Sequence, residues 1–305
     1  MRRVLIISNK TWEAEPLINA LLNPEFKPKE LLVPQQLNHP RKNGQIEYIP
    51  RATICYKDID ITYEIWCIQD LMDSNMHPSS SEEKYRSLPY AINFRNRKEP
   101  DFILAFGTAG FLVSPDDPIN DSNNGCVAIG TNVFIHDGHP LEDENPYSKL
   151  HISGKFEKEL LSQASNRLIE QLLKSPDFLH NVEKRLLKPF LMPSNNIRLI
   201  IKQNLLALSN INVTNYTEYE RIDIEGVQSV INSGTKSQIG SIETTHGIIK
   251  ILTESPFIFI SGITDRVGHF NEDVTPKKES QNYTCAFNAG ITTAWIIPEI
   301  IKYLS

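Results

Sequence analysis

Ser241 to Phe270 reads SIETTHGIIKILTESPFIFISGITDRVGHF, and this stretch decides the fold. Thr244 to Thr253 has helical spacing, and Pro256 to Ile263 is a continuous apolar run rich in Phe and Ile. Such a run, closed by Gly and Thr-Asp, predicts a strand buried on both faces. Two acids punctuate the stretch, Glu243 before the helix and Asp265 at the C-terminal end of the strand. Ligands of open α/β sheets settle outside the carboxyl ends of the strands. Asp265 therefore stands where chemistry is expected.

The pattern of a buried strand running into functional residues recurs upstream. Val4 to Ser8 is a β-branched and apolar run, followed by Thr11-Trp12-Glu13-Ala14-Glu15-Pro16. Pro16 suits the first turn of a helix, where its missing N–H costs nothing, and acids ahead of it favour the positive helix end. Glu13 and Glu15 thus sit at the tip of a strand-to-helix turn, where capping and catalysis are both open to them. Pro100 to Phe106 predicts a third buried strand, which runs into Gly107-Thr108-Ala109-Gly110. Small residues there let a ligand approach backbone N–H groups, and a plain tight turn is the alternative. Cys126 to Ile135 reads as another strand, ended by His136-Asp137-Gly138-His139-Pro140. That spacing matches no zinc signature, so a turn or a ligand-contact loop is expected there and no metal.

Between these strands lie an irregular excursion over 23–50, a hairpin (Ala52 to Tyr56 with Ile59 to Ile68) and a polar loop from Asp70 to Glu82 that leads into a helix. Gly154 to Leu187 and Ile222 to Ile231 have helical patterns, Ile197 to Asn212 reads as a strand, and Asn282 to Leu304 as an amphipathic helix. Strands alternating with helices predict an α/β fold in one domain over 1–305.

Composition excludes several function classes. A chain of 305 residues with 40% hydrophobic content buries one large core or two modest ones. A net charge of -6 and a pI near 5.8 argue against a nucleic-acid partner, which needs a basic face. No apolar run approaches the roughly 18 residues that span a bilayer, so no membrane is expected. The run in MRRVLIISNK is too short for a signal sequence. Cys55, Cys67, Cys126 and Cys285 are scattered without a Cys-x-x-Cys pair, which points to a reducing cytoplasm. Ser233-Gly234-Thr235-Lys236-Ser237 lacks the glycine spacing of a phosphate-binding loop.

Four motifs in order resemble the nucleoside phosphorylase superfamily, which holds purine nucleoside and uridine phosphorylases and the methylthioadenosine and AMP nucleosidases. They are GTAG at Gly107 to Gly110, His136-Asp137, SIETT at Ser241 to Thr245, and ISGITD at Ile260 to Asp265. The resemblance covers the chain from Val4 onward, with extra length near 23–50 and 141–193. It implies a three-layer α/β/α fold with a mixed central sheet, a homo-oligomer, and cleavage of an N-glycosidic bond without a cofactor.

The resemblance also implies roles. Glu243 would accept hydrogen bonds from the ribose 2′ and 3′ hydroxyls, and a carboxylate suits that task because charge-assisted bonds are stronger. Asp265 would give a proton to the departing base, which at neutral pH requires a pKa raised by burial. The alternatives are that Glu243 caps its helix and that Asp265 bonds a neighbouring turn. Phosphorylases of the group carry arginines after the first strand and before the Gly-Thr turn. Here those positions read Ser8-Asn9-Lys10 and Pro100 to Phe106. Water activated by Glu13 or Glu15 is thus preferred to phosphate as the nucleophile, with phosphate held by Lys10 or Arg266 as the alternative. Ser241 and Ile242 stand where the family has Glu-Met, beside Glu243. Arg266 suggests either a 5′-phosphate contact or a pairing with a neighbouring acid, and Tyr216 or Tyr219 would stack on a purine. The expected partner is a small-molecule nucleoside or nucleotide. A catalytically inactive binding or storage protein of the same fold is the rival from another class.

Overall fold

The computed structural model describes residues 2–37, 41–42, 45–46, 48–94, 99–136, 158–211, 213 and 218–305. Its principal strands are β1 (Arg2–Ser8), β2 (Ala52–Cys55), β3 (Ile61–Cys67), β4 (Phe102–Phe111) and β5 (Val127–Gly130). They continue with β6 (Asn132–His136), β7 (Leu199–Ile201), β8 (Leu205–Asn210), β9 (Gln238–Glu243) and β10 (Phe257–Arg266). With Gln35–Gln36 and Lys158–Leu160 at the edges, these form a 12-stranded sheet. Its order is Lys158–Leu160, β6, β8, β9, β4, β1, β3, β2, Gln35–Gln36, with β10 beside β4, β5 beside β10 and β7 beside β5.

The sheet is mixed. β4 runs parallel to β1 and to β10, whereas β5 opposes β10 and β2 opposes β3. β4 is the junction of the whole fold. It pairs with β1 from Phe102 to Phe106, with β10 from Ile103 to Phe111, and meets β9 where Gly110 faces Ile242. The ends of three other strands are thereby gathered around its C-terminal half.

Helices cover both faces. Val4 and Ile6 of β1 join a core with α1 (Thr11–Leu22), α3 (Gln163–Leu173), α4 (Pro176–Glu183) and α7 (Lys278–Leu304). Their alternates Leu5 and Ile7 join a core with α2 (Ser81–Ile92) and α6 (His246–Ile251). α5 (Tyr219–Asn232) packs Val230 against Phe134, Leu206, Leu208 and Ile242. A strand with both faces buried needs apolar residues at every position, which is what the run in β10 supplies. Phe257 and Phe259 are fully buried, each contributing roughly 1.5–3 kcal/mol. Gly262 of the same strand lets α7 approach, since a Cβ there would stand 2.0 Å from the Cys285 carbonyl oxygen.

Several sequence expectations are corrected. The Gly107–Gly110 segment is no turn but the second half of β4, because β10 and β9 supply ladder partners to its end. The strand read over Cys126 to Ile135 breaks at Thr131, where β5 goes to β10 and β6 goes to β8. The strand read over Ile197 to Asn212 breaks likewise, with Asn204 at φ 60 between β7 and β8. Pro16 lies inside α1, which begins five residues earlier at Thr11. Within the expected helix from Gly154 to Leu187, residues 158–160 form an edge strand and α3 starts only at Gln163. Among the described residues no helix is long and apolar enough to cross a membrane.

Candidate active site

A cavity of about 460 Å³ opens where β1, β4, β9 and β10 end. Of the residues singled out from sequence, Lys10, Glu13, Glu15, Gly107, Thr108, Ala109, Gly110, Tyr219, Ile242, Glu243 and Asp265 line it. They come from segments up to 255 positions apart (265 − 10), which the branched sheet brings to one edge.

Glu13 owes its place to the start of α1. Its Oε2 accepts the backbone N–H of Lys10 at 2.9 Å, a capping contact that anchors the first turn. Its Oε1 accepts the N–H and the hydroxyl of Thr108, at 2.9 and 3.2 Å. Gly107 makes this approach possible, because a Cβ there would stand 3.1 Å from Glu13 Oε1 and 3.5 Å from His246 Nε2. Glu13 is 4% exposed, whereas Glu15 is exposed at the rim. Capping and a place in the cavity thus coincide in Glu13.

Glu243 shows the same double duty. Its Oε2 accepts the N–H groups of Thr245 and His246 at the start of α6, the latter at 2.8 Å, and its Oε1 accepts the Ser209 hydroxyl. A carboxylate offers about four acceptor positions. Three are taken, so one remains for a ligand hydroxyl. The capping alternative is therefore present in the structure, and it fixes the carboxylate in the cavity wall. His246 lies beside it, with a buried Nδ1 that has no hydrogen-bond partner and stands 3.9 Å from Glu243 Oε1.

Asp265 is turned into the cavity by a bulge. Ile263 faces Ala109 and Asp265 faces Gly110, so Thr264 is the extra residue in β10. Bulges re-aim side chains in this way beside functional sites. Thr264 Oγ1 lies 2.5 Å from Asp265 Oδ1, and a Cβ on Gly110 would stand 3.1 Å from Asp265 Oδ2. Burial pushes the Asp265 carboxyl up to about 7; the Thr264 hydrogen bond opposes this and the charge of Asp273 adds to it.

Among the residues that escaped the sequence reading, Asp223 and Phe270 line the cavity and Lys84 is buried behind it. Asp223 of α5 lines the cavity, and burial together with the charge of Asp265 pushes its carboxyl up to about 7. Its register one turn after Tyr219 was the available signal, hidden because the helix was expected to begin at Ile222. Phe270 stacks on Tyr219, with ring centroids 6.2 Å apart and planes at 27°. Lys84 of α2 is fully buried and donates from Nζ to Thr245 Oγ1 at 3.1 Å. Desolvation, with the charge of Lys10, lowers its pKa to about 7, against the pull of Glu243 and Glu13. Nothing in its surrounding sequence marks it.

Three expected contacts do not reach the cavity. Arg266 is 1% exposed and bound to Asp273 Oδ1 at 2.7 Å, to Glu272 Oε2 at 2.8 Å and to the Pro118 carbonyl at 3.2 Å. Of the two readings the sequence left open for it, Arg266 takes the pairing with neighbouring acids, and it is buried away from the cavity rather than placed for a 5′-phosphate. The pleat of the strand explains it: neighbouring side chains point to opposite faces, so Arg266 turns away where Asp265 turns in. For the same reason Ser241 is fully buried behind Ile242, and His136 ends β6 outside the lining. Tyr216, Asp137 and His139 lie outside the described residues. No group of three or more potential metal ligands occurs among the described residues.

No protein-family model matches the chain, and no curated protein matches its sequence. Solved structures do match. A 5′-methylthioadenosine/S-adenosylhomocysteine nucleosidase from Campylobacter jejuni superposes with a TM-score of 0.55 at 10% identity, covering 99% of this chain and 100% of its own. The corresponding nucleosidase from Colwellia psychrerythraea, in complex with adenine, gives 0.54 at 12% identity over 98% and 95%. That from Helicobacter pylori with butyl-thio-DADMe-Immucillin-A gives 0.52 at 13% over 97% and 98%. The chain has the fold of these nucleosidases, the nucleoside phosphorylase-like α/β fold, as its sequence motifs led us to expect.

Proposed function

We propose that the protein hydrolyses the N-glycosidic bond of a purine nucleoside or nucleotide, releasing the free base and the sugar. The observation that carries this reading is the convergence of Glu13 and Asp265 on one cavity from either side of β4, with Glu243 in its wall. Water attacks the anomeric carbon of the sugar while the bond to the base nitrogen breaks. Glu13 takes a proton from that water, and its bonds to Lys10 and Thr108 hold the carboxylate in one orientation. Glu243 accepts a sugar hydroxyl and opposes the positive charge that develops on the ring. Asp265, kept protonated by burial, gives its proton to the departing base. General acid–base assistance of this kind is worth roughly 10²–10⁴ in rate.

Tyr219 and Phe270 offer an aromatic wall for the base. Adenine in the Colwellia nucleosidase supports a purine as leaving group. No arginine is among the residues lining the cavity, and the planar bidentate fork that phosphate favours is therefore missing from it. Lys10 does line it, which keeps a phosphate-dependent reaction as the second reading. Release of free base from a nucleoside panel, with and without phosphate, tests the choice. Equal rates are expected. Strict phosphate dependence overturns hydrolysis, and thermal stabilisation by a nucleoside that is never cleaved favours the inactive binding protein.

A further inference from the structure

Asp223 has no part in the hydrolytic steps above, yet it is built into the cavity. It sits one turn after Tyr219 on α5, so both side chains occupy one face of the helix. Both line the cavity, together with Phe270 and Asp265. The cavity is thus lined by a stacked aromatic pair and by two carboxyl groups near enough for the charge of Asp265 to act on Asp223.

The support behind Asp223 is specific. Its Oδ1 accepts a hydrogen bond from Nδ2 of Asn210, the last residue of β8, at 2.6 Å. Asn210 is fully buried. It fits against α5 only because position 226 is glycine: a Cβ there would stand 2.5 Å from Asn210 Oδ1. Asn210 and Gly226 together hold the Asp223 carboxyl with one oxygen occupied and the other oxygen left to accept from a ligand.

The two acids are not equivalent. Like charges in a dry site disfavour double ionisation, so near neutral pH one carboxyl keeps a proton. The amide nitrogen of Asn210 has only hydrogens to offer, which favours the ionised form of Asp223. The Thr264 hydroxyl beside Asp265 has a second acceptor in the Ala109 carbonyl, at 3.2 Å. It can therefore turn away and leave Asp265 protonated. The pair presents a donor, Asp265, next to an acceptor, Asp223.

Purines differ in what they ask of such a pair. A 6-aminopurine shows a ring-nitrogen acceptor (N7) beside an amino donor, whereas a 6-oxopurine shows two acceptors side by side. We propose that Asp223 determines the base: its carboxylate accepts a hydrogen bond from the 6-amino group of a purine whose N7 is protonated by Asp265. This rests on the hydrolytic reading above, and it limits the substrates to 6-aminopurine nucleosides.

The test compares adenosine with inosine, and free adenine with free hypoxanthine, in the wild type, Asp223→Asn and Asp223→Ala. In the wild type kcat/KM favours adenosine, and calorimetry gives tighter binding of adenine. Asp223→Ala lowers that preference by roughly tenfold to a hundredfold, the worth of a good base contact. Asp223→Asn shifts it further towards hypoxanthine, because its amide can accept from Asn210 and donate to the 6-oxo group. Melting temperatures identify any variant that fails to fold, and the other variant then decides. A wild type that prefers inosine and hypoxanthine overturns the assignment, as does a preference unchanged in both variants. If no nucleoside is cleaved, the hydrolytic reading fails by itself, and the base-binding arm still decides the role of Asp223.

Discussion

Glu13 Oε1 accepts both the backbone N–H and the hydroxyl of Thr108, at 2.9 and 3.2 Å. This contact spans 95 positions of sequence and joins the first helix to the central strand. It makes a helix-capping acid part of the cavity, and it separates Glu13 from its exposed neighbour Glu15. Under the proposed hydrolysis, Glu13→Gln lowers kcat by at least about a hundredfold. The amide oxygen of glutamine still accepts from Thr108, but its NH2 then meets the Lys10 N–H that Oε2 had accepted, so the melting temperature falls as well and kcat is compared on folded protein. Glu15→Gln gives a smaller loss, and steady-state kinetics with a melting curve for each variant check the pair.

Asp265→Asn is expected to trade activity for stability. Burial raises the Asp265 carboxyl from 3.8 to about 7. Between those values the folded chain keeps a proton that the unfolded chain has released, so its contribution to stability is complete below about pH 4 and is lost as pH rises through about 7. An asparagine carries no such dependence. Asp265→Asn therefore loses roughly 10²–10⁴ in rate yet is more stable relative to wild type at pH 8 than at pH 5. Urea unfolding at the two pH values measures this, and wild-type kcat/KM falls as pH rises above about 7.

Lys84 reverses the sign. Burial lowers it from 10.5 to about 7. Between those values the unfolded chain binds a proton that the folded chain lacks, so stability rises with pH from about 7 to about 10.5. Lys84→Met removes this slope while filling the same buried space. Urea midpoints at pH 7.5 and 9.5 should differ less in the variant than in the wild type.

Gly107→Ala tests the geometry around Glu13. The added methyl stands 3.1 Å from Glu13 Oε1, tighter than ordinary contact, so the carboxylate must shift from the position the proposed reaction requires. The expected result is a fall in kcat larger than any rise in KM, with a folded protein by circular dichroism. A shift confined to KM would place Glu13 in binding alone.

The strands were legible where the sequence carried continuous apolar runs, as in Val4 to Ser8 and Pro256 to Ile263. Their interruptions were not. Thr131 and Asn204 split two expected strands because each half finds a different neighbour in the sheet, a long-range choice that local pattern does not encode. Glu13, Glu243 and Asp265 were visible as acids at strand ends. For Arg266 the sequence left a 5′-phosphate and a neighbouring acid both open; the bulge at Thr264 and the pleat decide for the acid, sending it behind the strand into Asp273. Asp223 and Lys84 stayed hidden because their neighbours at the site come from distant segments. A single polar residue on a helix gives no sign of which cavity it will meet.

The central claim is that water, not phosphate, takes the glycosidic bond. Its most direct measurement is a reaction in ¹⁸O-labelled water with a purine nucleoside, followed by mass spectrometry of the sugar. Hydrolysis predicts one ¹⁸O in the freed sugar whether or not phosphate is present. A sugar 1-phosphate, formed only when phosphate is added, would contradict it.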